Sequence, residues 1–415
     1  MKHNFTCLLI PLMIFVSCNK NAIVPQLTNP DSNLVNTVQV PDTIMKYIEG
    51  VYTLTGGSGN LGTEFVCKVS KFKISFFSNT NGIYIILQYG YRSQDSTIQL
   101  AGFWRYSEST NQGLISLSIP APNGVSNLIR KNLVDVLKLS GNFSDGGNSS
   151  QPITLQFIRP FTKYATEHEF MIFAHHGVQT TADPPYTENS LNGAIHDEDY
   201  GVNGLEFDVQ LTSDHVPICA HDASINTRVT EKGPLAGDYI QYSFAYLDSF
   251  VRLTDGEKIP SVEQVLNAFI DSTNLKYMWL DVKGDPDIFK YLEPVVRKAY
   301  ARAATVNRNI QIIGDLTSDA VISEFQSWPA YSSLPTMCEV SLDDAIQNHC
   351  QYWAPRYTLG LLSDDVNKAH QLGMKVLSWT LNDKDLILDY LLNGKFDGFI
   401  SDYPAYVVYD FYTLF

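Results

Sequence analysis

Residues 204–211, Gly-Leu-Glu-Phe-Asp-Val-Gln-Leu, form the stretch from which the fold is most directly inferred. Their apolar residues predict a buried β-strand, in which Glu206 and Asp208 are the two acidic positions. Because successive side chains of a strand point to opposite faces, these two carboxylates lie on the same face. Carboxylates among apolar neighbours are costly unless a cation neutralises them. The stretch therefore predicts a strand that carries part of a functional site.

Residues 164–415 alternate short apolar strands with helical segments, which is typical of βα units and a parallel sheet. About eight strands in this length predict one TIM-type (β/α)8 barrel, so the fold class is α/β. The predicted strands are 171–174, 204–211, 216–220, 277–282, 309–313, 336–340, 375–380 and 398–400, and the predicted helices are 190–200, 261–271, 286–304, 363–372 and 383–392.

Residues 43–163 have a different pattern, in which short β segments are separated by turn clusters such as Ser-Asn-Thr-Asn-Gly at 78–82. These clusters are hairpin signals, and they predict a small antiparallel all-β domain, either a barrel or a sandwich. The sequence assigns this domain no function and no protein partner. Its β segments are 71–78, 82–92, 97–106, 113–120, 137–143 and 153–158.

Reactive side chains stand at the ends of four predicted strands in the second domain. In a TIM barrel the C-terminal strand ends meet on one face, where active sites lie. Three carboxylates there suit Ca²⁺ or Mg²⁺ better than zinc, and two histidines supply an acid and a base. The alternatives are loop histidines, a solvated strand face and a surface ion pair. Besides Glu206 and Asp208, the reactive residues are His175, His176, His221, Asp281 and Lys283.

Seven short motifs extend this pattern along the chain. They are Ala174-His-His-Gly177, Pro185-Tyr-Thr-Glu-Asn-Ser190, Gly204-Leu-Glu-Phe-Asp-Val-Gln-Leu-Thr212, Val216-Pro-Ile-Cys-Ala-His-Asp222, Ile259-Pro-Ser-Val-Glu-Gln-Val265, Trp379-Thr-Leu-Asn382 and Ser401-Asp-Tyr-Pro404. In order and spacing they resemble the glycerophosphodiester phosphodiesterase family of the PLC-like superfamily. The resemblance covers about residues 168–410 and leaves the β domain outside.

The resemblance implies one divalent cation, Ca²⁺ or Mg²⁺, bound by Glu206, Asp208 and Asp281. It places the basic group that holds the phosphate on Lys283. The arginine that usually follows the first histidine is replaced by His176, which would contact phosphate with a charge that depends on protonation. The usual third glutamate is replaced by Asp281, which is one methylene shorter. Spider-venom-type phospholipase D enzymes are similar in having Asp-x-Lys there.

The resemblance also implies that His175 and His221 are the catalytic acid and base. The substrate would be a small glycerophosphodiester, hydrolysed to glycerol 3-phosphate and an alcohol. Attack by a neighbouring substrate hydroxyl, through a cyclic phosphate, and direct attack by water both remain open. Trp379 would wall the pocket or serve as a buried structural residue. Asn189 is predicted to cap a helix.

Two other function classes remain open beside this hydrolase. One is a phospholipase D- or C-like enzyme acting on intact phospholipid, and the other is a catalytically impaired lipoprotein that binds phosphodiesters. Retention of both histidines and all three acids favours an enzyme. Because no active-site motif precedes residue 165, the barrel is predicted to work without residues 1–160.

The N-terminus predicts a bacterial lipoprotein. Residues 8–16 are an apolar run too short to span a bilayer, followed by Ser17 and Cys18. Residues 1–18 are therefore predicted to be a lipoprotein signal peptide, with lipidation at Cys18, and 19–42 a flexible tether. Lipid chains would anchor the protein in the cell envelope, at the outer membrane or facing the periplasm. The alternative is an ordinary secretory peptide with an incidental cysteine.

The formal net charge of -15 excludes one class of partner. Such a balance repels nucleic acid and anionic surfaces. An anionic substrate would therefore need a cation or a few aimed basic groups.

Four cysteines remain after residue 18, and they fit no zinc pattern. They would be buried free thiols or, for Cys338 and Cys350, a disulfide.

Overall fold

The protein is described from a computed structural model, which covers residues 34–56, 61–71, 73–109, 111–121, 128, 137–144, 150–177 and 186–415. The predicted signal peptide with Cys18, and the first part of the predicted tether, lie outside the described residues. No helix in these ranges is long and apolar enough to cross a membrane.

The first domain is a closed antiparallel barrel of eight strands, so the barrel alternative is the correct one. Each strand pairs with the next, and the last pairs with the first. Tyr52 packs edge-on against Phe76 and Phe157 inside it, with both ring centroids 5.3 Å away. The first two strands were not predicted. The strands are β1 Gly50–Leu54, β2 Glu64–Ser70, β3 Lys73–Phe77, β4 Tyr84–Arg92, β5 Thr97–Arg105, β6 Gln112–Ile119, β7 Lys138–Ser144 and β8 Ser150–Arg159.

The second domain is a parallel eight-stranded barrel, which confirms the predicted TIM-type fold. One predicted strand, 216–220, is not a barrel strand, because Pro217–Cys219 pairs antiparallel with its neighbour Gly204–Leu211. The eighth barrel strand is Tyr352–Trp353, which was not predicted. The barrel strands are β9 Met171–Ala174, β10 Gly204–Leu211, β14 Tyr277–Val282, β15 Gln311–Leu316, β16 Thr336–Cys338, β17 Tyr352–Trp353, β18 Lys375–Ser378 and β19 Gly398–Ser401, and the strands outside it are β11 Pro217–Cys219, β12 Ser224–Ile225 and β13 Gly237–Asp238.

Helices cover the outside of the parallel barrel. Several begin with a polar residue that accepts a backbone hydrogen bond, and Ser261 forms a reciprocal capping box with Gln264. The helices are α1 Asp42–Met45, α2 Lys163–Glu167, α3 Leu191–His196, α4 Phe244–Phe250, α5 Val262–Ser272, α6 Ile288–Thr305, α7 Asp319–Ser327, α8 Leu342–Gln347, α9 Ser363–Gln371, α10 Lys384–Asn393 and α11 Pro404–Leu414, and the short 3-10 helices are Lys46–Ile48, His175–Gly177, Asp197–Tyr200, Tyr239–Gln241, Pro329–Ser333 and Tyr357–Leu359.

Alternation along the strands decides which side chains line the barrel mouth. Buried residues at every second position, such as Phe173, Trp279, Ile313 and Met337, form one cluster inside the barrel. The next residues in the same alternation, toward the C-terminal strand ends, also point inward. On β14, for example, Asp281 follows Trp279 and comes to lie at the mouth.

The two barrels share a hydrophobic core. Val66, Phe77, Tyr84 and Ile86 of the first barrel belong to the cluster of buried residues that includes the helices of the second. The cysteines Cys67, Cys219, Cys338 and Cys350 are buried free thiols, so the disulfide alternative is wrong for the described chain.

Candidate active site

Three carboxylates meet at the mouth of the parallel barrel. Asp208 on β10 lies opposite Asp281 on β14 in the strand register. Glu206, Asp208 and Asp281 each offer an oxygen within 4.8 Å of the others. Glu206 Oε1 and Asp281 Oδ1 are buried and have no hydrogen-bond partner among the described residues. Oxygens of this kind are the ligands that Ca²⁺ and Mg²⁺ take, so the residues present fit a divalent cation.

Burial and neighbouring charges shift the pKa values of these three acids. Burial, reinforced by the charge of Asp208, raises the pKa of Glu206 well above its usual range. Burial also raises the pKa of Asp281, which Lys283 only partly offsets. Asp208 is the exception. Its burial is outweighed by the hydrogen bond and charge of His176 and by the charge of Lys283, which together hold its pKa well below the ordinary value. A cation shared by the cluster would favour ionisation of all three acids.

His176 lies against these acids rather than in the open mouth. Its Nδ1 is 2.8 Å from Asp208 Oδ2, and its backbone N–H donates to Glu206 Oε2 at 2.7 Å. Burial alone would lower the pKa of His176, but the charges of Glu206 and Asp208 raise it to about 10. The other ring nitrogen, Nε2, has no partner among the described residues. The predicted phosphate contact of His176 could therefore use Nε2 only.

Lys283 forms ion pairs with two of the acids. Its Nζ lies 2.7 Å from Asp208 Oδ1 and 2.9 Å from Asp281 Oδ2. Burial opposes the charge of Lys283, but the carboxylates of Asp281 and Asp208 outweigh it and raise the pKa of the ammonium. The lysine is thus held charged at the mouth beside the proposed cation site.

His175 follows β9 and is oriented by a carboxylate from the other end of the sequence. Its Nδ1 lies 2.6 Å from Asp402 Oδ1, and Asn382 donates to Asp402 Oδ2 at 2.6 Å. Burial would raise the pKa of Asp402, but the hydrogen bond and charge of His175 keep it below the usual range. Because Nδ1 is occupied, Nε2 is the ring nitrogen left for a substrate.

His221 is held in a comparable way and also lies near His176. The ring centroid of His176 is 3.6 Å from that of His175 and 4.9 Å from that of His221. Asp222 Oδ1 lies 3.0 Å from His221 Nδ1, and Arg228 binds Asp222 and Glu188. The structure thus brings both predicted catalytic histidines to the carboxylate cluster, each beside an aspartate.

Trp379 is half-buried beside the interior of the parallel barrel, and its role as a wall of the pocket stays a prediction. Its indole N–H donates to the Ala354 carbonyl at 2.8 Å, and the side chain packs against the cluster inside the barrel. The Arg356 guanidinium lies over its ring, 4.7 Å from the centroid.

Asn189 has a role in the site that the sequence did not predict. Asn189 does not cap a helix, since Ser190 accepts the bond from Gly193. Instead the Asn189 amide donates to Asp208 Oδ2 at 2.7 Å and accepts from the Asp208 backbone at 2.9 Å. A motif match around residues 185–190 was the one signal that could have indicated this.

Two more acids at the mouth were not predicted. Asp315 on β15 lies opposite Asp281 in the register and accepts a bond from Trp279 at 2.7 Å. Burial, followed by the charge of Asp281, raises the pKa of Asp315 to about 8. Burial and the charge of Asp315 also raise the pKa of Glu339, just after β16. No sequence pattern indicated Asp315 or Glu339, because neither has a second charged residue two positions away on its strand.

The fold and site define a TIM-barrel protein with an acidic, histidine-lined mouth. The model of the glycerophosphoryl diester phosphodiesterase family matches residues 175–406, more than half of the 415-residue chain. The chain therefore belongs to this family and is a phosphoric diester hydrolase. The antiparallel barrel is outside the matched residues.

Individual relatives show the same coverage. YhdW of Bacillus subtilis strain 168, named as a proposed glycerophosphodiester phosphodiesterase, is 24% identical over 247 residues, or 58% of this chain and 97% of YhdW. A glycerophosphodiester phosphodiesterase of Caldanaerobacter subterraneus is 20% identical over 245 residues, or 57% of this chain and 96% of its own. The crystal structure of a glycerophosphodiester phosphodiesterase from Parabacteroides distasonis has a TM-score of 0.48 at 21% identity and covers 60% of this chain and 98% of its own.

Proposed function

We propose that this protein hydrolyses glycerophosphodiesters to glycerol 3-phosphate and an alcohol, with His175 and His221 as the acid and base. The observation that carries the proposal is the placement of both histidines, each beside an aspartate, next to a carboxylate cluster suited to one cation. A divalent cation there would draw charge from a phosphoryl oxygen and stabilise the charge that develops in the transition state.

The residues of the chain itself perform the remaining steps. Lys283 and His176 Nε2 contact the phosphate, Asp402 presents His175, and Asp222 presents His221. One histidine takes the proton of the attacking hydroxyl as the new P–O bond forms. The other donates its proton to the leaving alkoxide as the old P–O bond breaks. Transfer of a proton from the histidine that acted as base to the histidine that acted as acid then restores both to their starting protonation states.

The direct test uses the full-length protein and measures release of glycerol 3-phosphate from glycerophosphoethanolamine. It is run after chelation and again with added Ca²⁺ or Mg²⁺. Activity restored by a cation and lost in His221→Ala supports the proposal, and His168→Ala, an exposed histidine, is the matched control. Full activity in chelator would remove the cation from the mechanism. Release of glycerol together with a phosphorylated alcohol would place the cleavage at the other ester bond.

A second candidate, a phospholipase acting on intact lipid, is favoured by an exposed aromatic row. It lies in the segment that follows His221, where the Tyr246 ring stacks with Tyr242 and is tilted against Phe250. Tyr246 is 52% exposed and Phe250 47%. Aromatic side chains of this kind are common at lipid interfaces. Vesicles of phosphatidylglycerol, assayed beside glycerophosphoglycerol, distinguish the two candidates by which substrate has the higher kcat/KM.

Anchoring of the chain at Cys18 is a further part of this proposal and is supported by the sequence alone. A lipid-anchored enzyme would meet its substrates at the envelope where phospholipids are turned over. The variant Cys18→Ser should move from the membrane fraction to the soluble fraction. Equal membrane recovery of both proteins would contradict the anchor.

A further inference from the structure

Arg356 is a basic group of the barrel mouth with no acidic partner among the described residues. It follows β17 by three positions, and the alternation of Tyr352 and Ala354 inside the barrel directs it toward the mouth. By contrast, Lys283 is paired with Asp208 and Asp281, and Arg228 with Glu188 and Asp222. The guanidinium of Arg356 therefore keeps its donors for another group.

The position of this guanidinium is fixed by stacking. It lies 4.7 Å from the centroid of the Trp379 ring, and the indole is itself fastened to the Ala354 carbonyl at 2.8 Å. A guanidinium that lies over an aromatic ring keeps N–H donors available for an anion. An arginine ordered in this way loses little freedom when it binds a ligand.

The location of Arg356 separates it from the scissile phosphate. Around the closed barrel β17 is the fourth strand from β10 in either direction, so it lies diametrically opposite Glu206 and Asp208. A phosphate bound at the carboxylate cluster therefore lies on the side of the mouth away from the strand before Arg356, and we infer that the anion beside Arg356 is a different group. Because the glycerol half of the proposed substrate carries no charge, an anion on the far side must belong to its alcohol half.

We propose that Arg356 determines substrate specificity by binding an anionic group, a carboxylate or a second phosphate, on the alcohol half of the diester. This inference rests on the proposed function. It would give a chain with a net charge of -15 a local positive group for an anionic substrate.

The test compares two matched substrate pairs in the full-length protein. Glycerophosphoserine differs from glycerophosphoethanolamine by a carboxylate, and bis(glycerophospho)glycerol differs from glycerophosphoglycerol by a further glycerophosphoryl group, which carries the second phosphate. In wild type we expect kcat/KM to favour the anionic member of at least one pair by about tenfold to a hundredfold, as a charge-assisted bond provides. The pair that shows the preference identifies the source of the anion.

Variants connect the preference to the residue. Arg356→Gln should abolish it, and Arg356→Lys should retain part of it because the charge remains without the fork. Arg302→Gln, which removes an exposed arginine paired with Asp271 on the outer helices, should leave the ratio at its wild-type value. Equal kcat/KM within both pairs in wild type, or a preference that survives in Arg356→Gln, would overturn the proposal.

A binding readout keeps this inference separate from the proposed function. Dissociation constants of the four compounds are measured by calorimetry with the inactive variant His221→Ala, and with His221→Ala/Arg356→Gln, in Ca²⁺. A preference of about tenfold or more that is lost in the double variant supports the Arg356 assignment even if wild type turns over none of the four. Absence of turnover in wild type would refute the proposed hydrolysis but not the Arg356 assignment. Equal affinities within both pairs would refute the Arg356 assignment, whatever the turnover.

Discussion

Asp208 receives contacts from three separate parts of the chain. Lys283, His176 and Asn189 all reach its carboxylate, which is fully buried. A buried carboxylate surrounded by donors is held in one orientation, as a metal ligand has to be. The residue therefore joins the histidine turn, the β10 strand and the lysine that follows β14 into one site.

The variant Asp208→Asn should lower kcat/KM by about a hundredfold or more while the barrel stays folded. The amide has one oxygen and no charge, so it cannot serve both the cation and the donors around it. The measurements are glycerol 3-phosphate release, Ca²⁺ binding by calorimetry and the far-UV circular dichroism spectrum. Asp271→Asn, on the outer surface, is the matched control. Activity near wild type at saturating metal would show that Asp208 is not a ligand.

The second prediction at this scale concerns Asp402, which acts through His175. Asp402→Asn should reduce kcat by about ten- to a hundredfold with little change in KM, because an amide no longer fixes the ring tautomer. Steady-state kinetics separate the two parameters. Asp389→Asn, an exposed helix residue bonded to Asn393, is the control. A variant with higher KM and unchanged kcat would instead place Asp402 in substrate binding.

Sequence analysis identified the residues that lie at strand ends but not those that hold them. His175 and Asp402 are 227 positions apart and meet only because β19 pairs with β9 to close the barrel. No local pattern reports such a closure. Glu206 and Asp208 were accessible because their spacing of two already places them on one face of a strand.

The turn after β9 is the element that presents both neighbouring histidines. His176 has a φ of 56° and Gly177 a φ of 64°, so the chain passes through two left-handed residues in succession. A Cβ at Gly177 would lie 2.1 Å from the ring of Phe207 on β10. The backbone of the turn is therefore pressed against the strand that carries Glu206 and Asp208.

Gly177→Ala should lower the free energy of unfolding by about 2 to 4 kcal/mol, because the left-handed conformation and the collision with Phe207 add. Activity should fall as well, since the turn must move away from β10. Gly256→Ala is the matched control: its φ is 87°, but no atom lies within 4 Å of the added carbon. We expect it to cost about 1 kcal/mol. Equal losses in chemical denaturation would refute the packing argument.

In the parallel barrel, strand prediction succeeded for every strand except the shortest one. The bounds of Met171–Ala174, Gly204–Leu211 and Tyr277–Val282 agree with the structure. Tyr352–Trp353 is only two residues long, too short for any periodicity to indicate it. Pro217–Cys219 is as apolar as a barrel strand, but its antiparallel pairing is set by the tight connection from β10, which composition does not reveal.

At the scale of the molecule, the two barrels are joined by polar contacts as well as by a shared core. Asp199 of the second barrel accepts from Ser70 Oγ at 2.7 Å and pairs with Lys73 Nζ at 2.5 Å, both in the first barrel. Burial would raise the pKa of Asp199, but bonds from His196, Lys73 and Ser70 keep it below the ordinary value.

Asp199→Asn should lower the free energy of unfolding by about 2 to 4 kcal/mol at pH 7, because Lys73 loses its buried partner. Since the folded pKa lies below the unfolded value near 4, the carboxylate stabilises the fold above about pH 4. That contribution is lost as pH falls through the lowered pKa, so the gap between variant and wild type should close in acid. Urea denaturation from pH 7 to 3 measures it, with Asp271→Asn as the exposed control. A gap independent of pH would contradict the assignment.

The motif distribution predicts that the parallel barrel works without residues 1–160. The core that it shares with the first barrel argues against this. Deleting those residues exposes the surface that packs against Val66, Phe77, Tyr84 and Ile86, all at most 5% exposed in the intact chain. Losing four such contacts costs on the order of 5 kcal/mol or more, comparable to the whole stability of a domain.

We therefore expect the fragment 160–415 to aggregate or to unfold at a much lower Tm than residues 34–415, which keep both barrels. Size-exclusion chromatography and thermal unfolding compare the two proteins. A monomeric fragment with the Tm and kcat/KM of the longer chain would show that the parallel barrel folds and works alone.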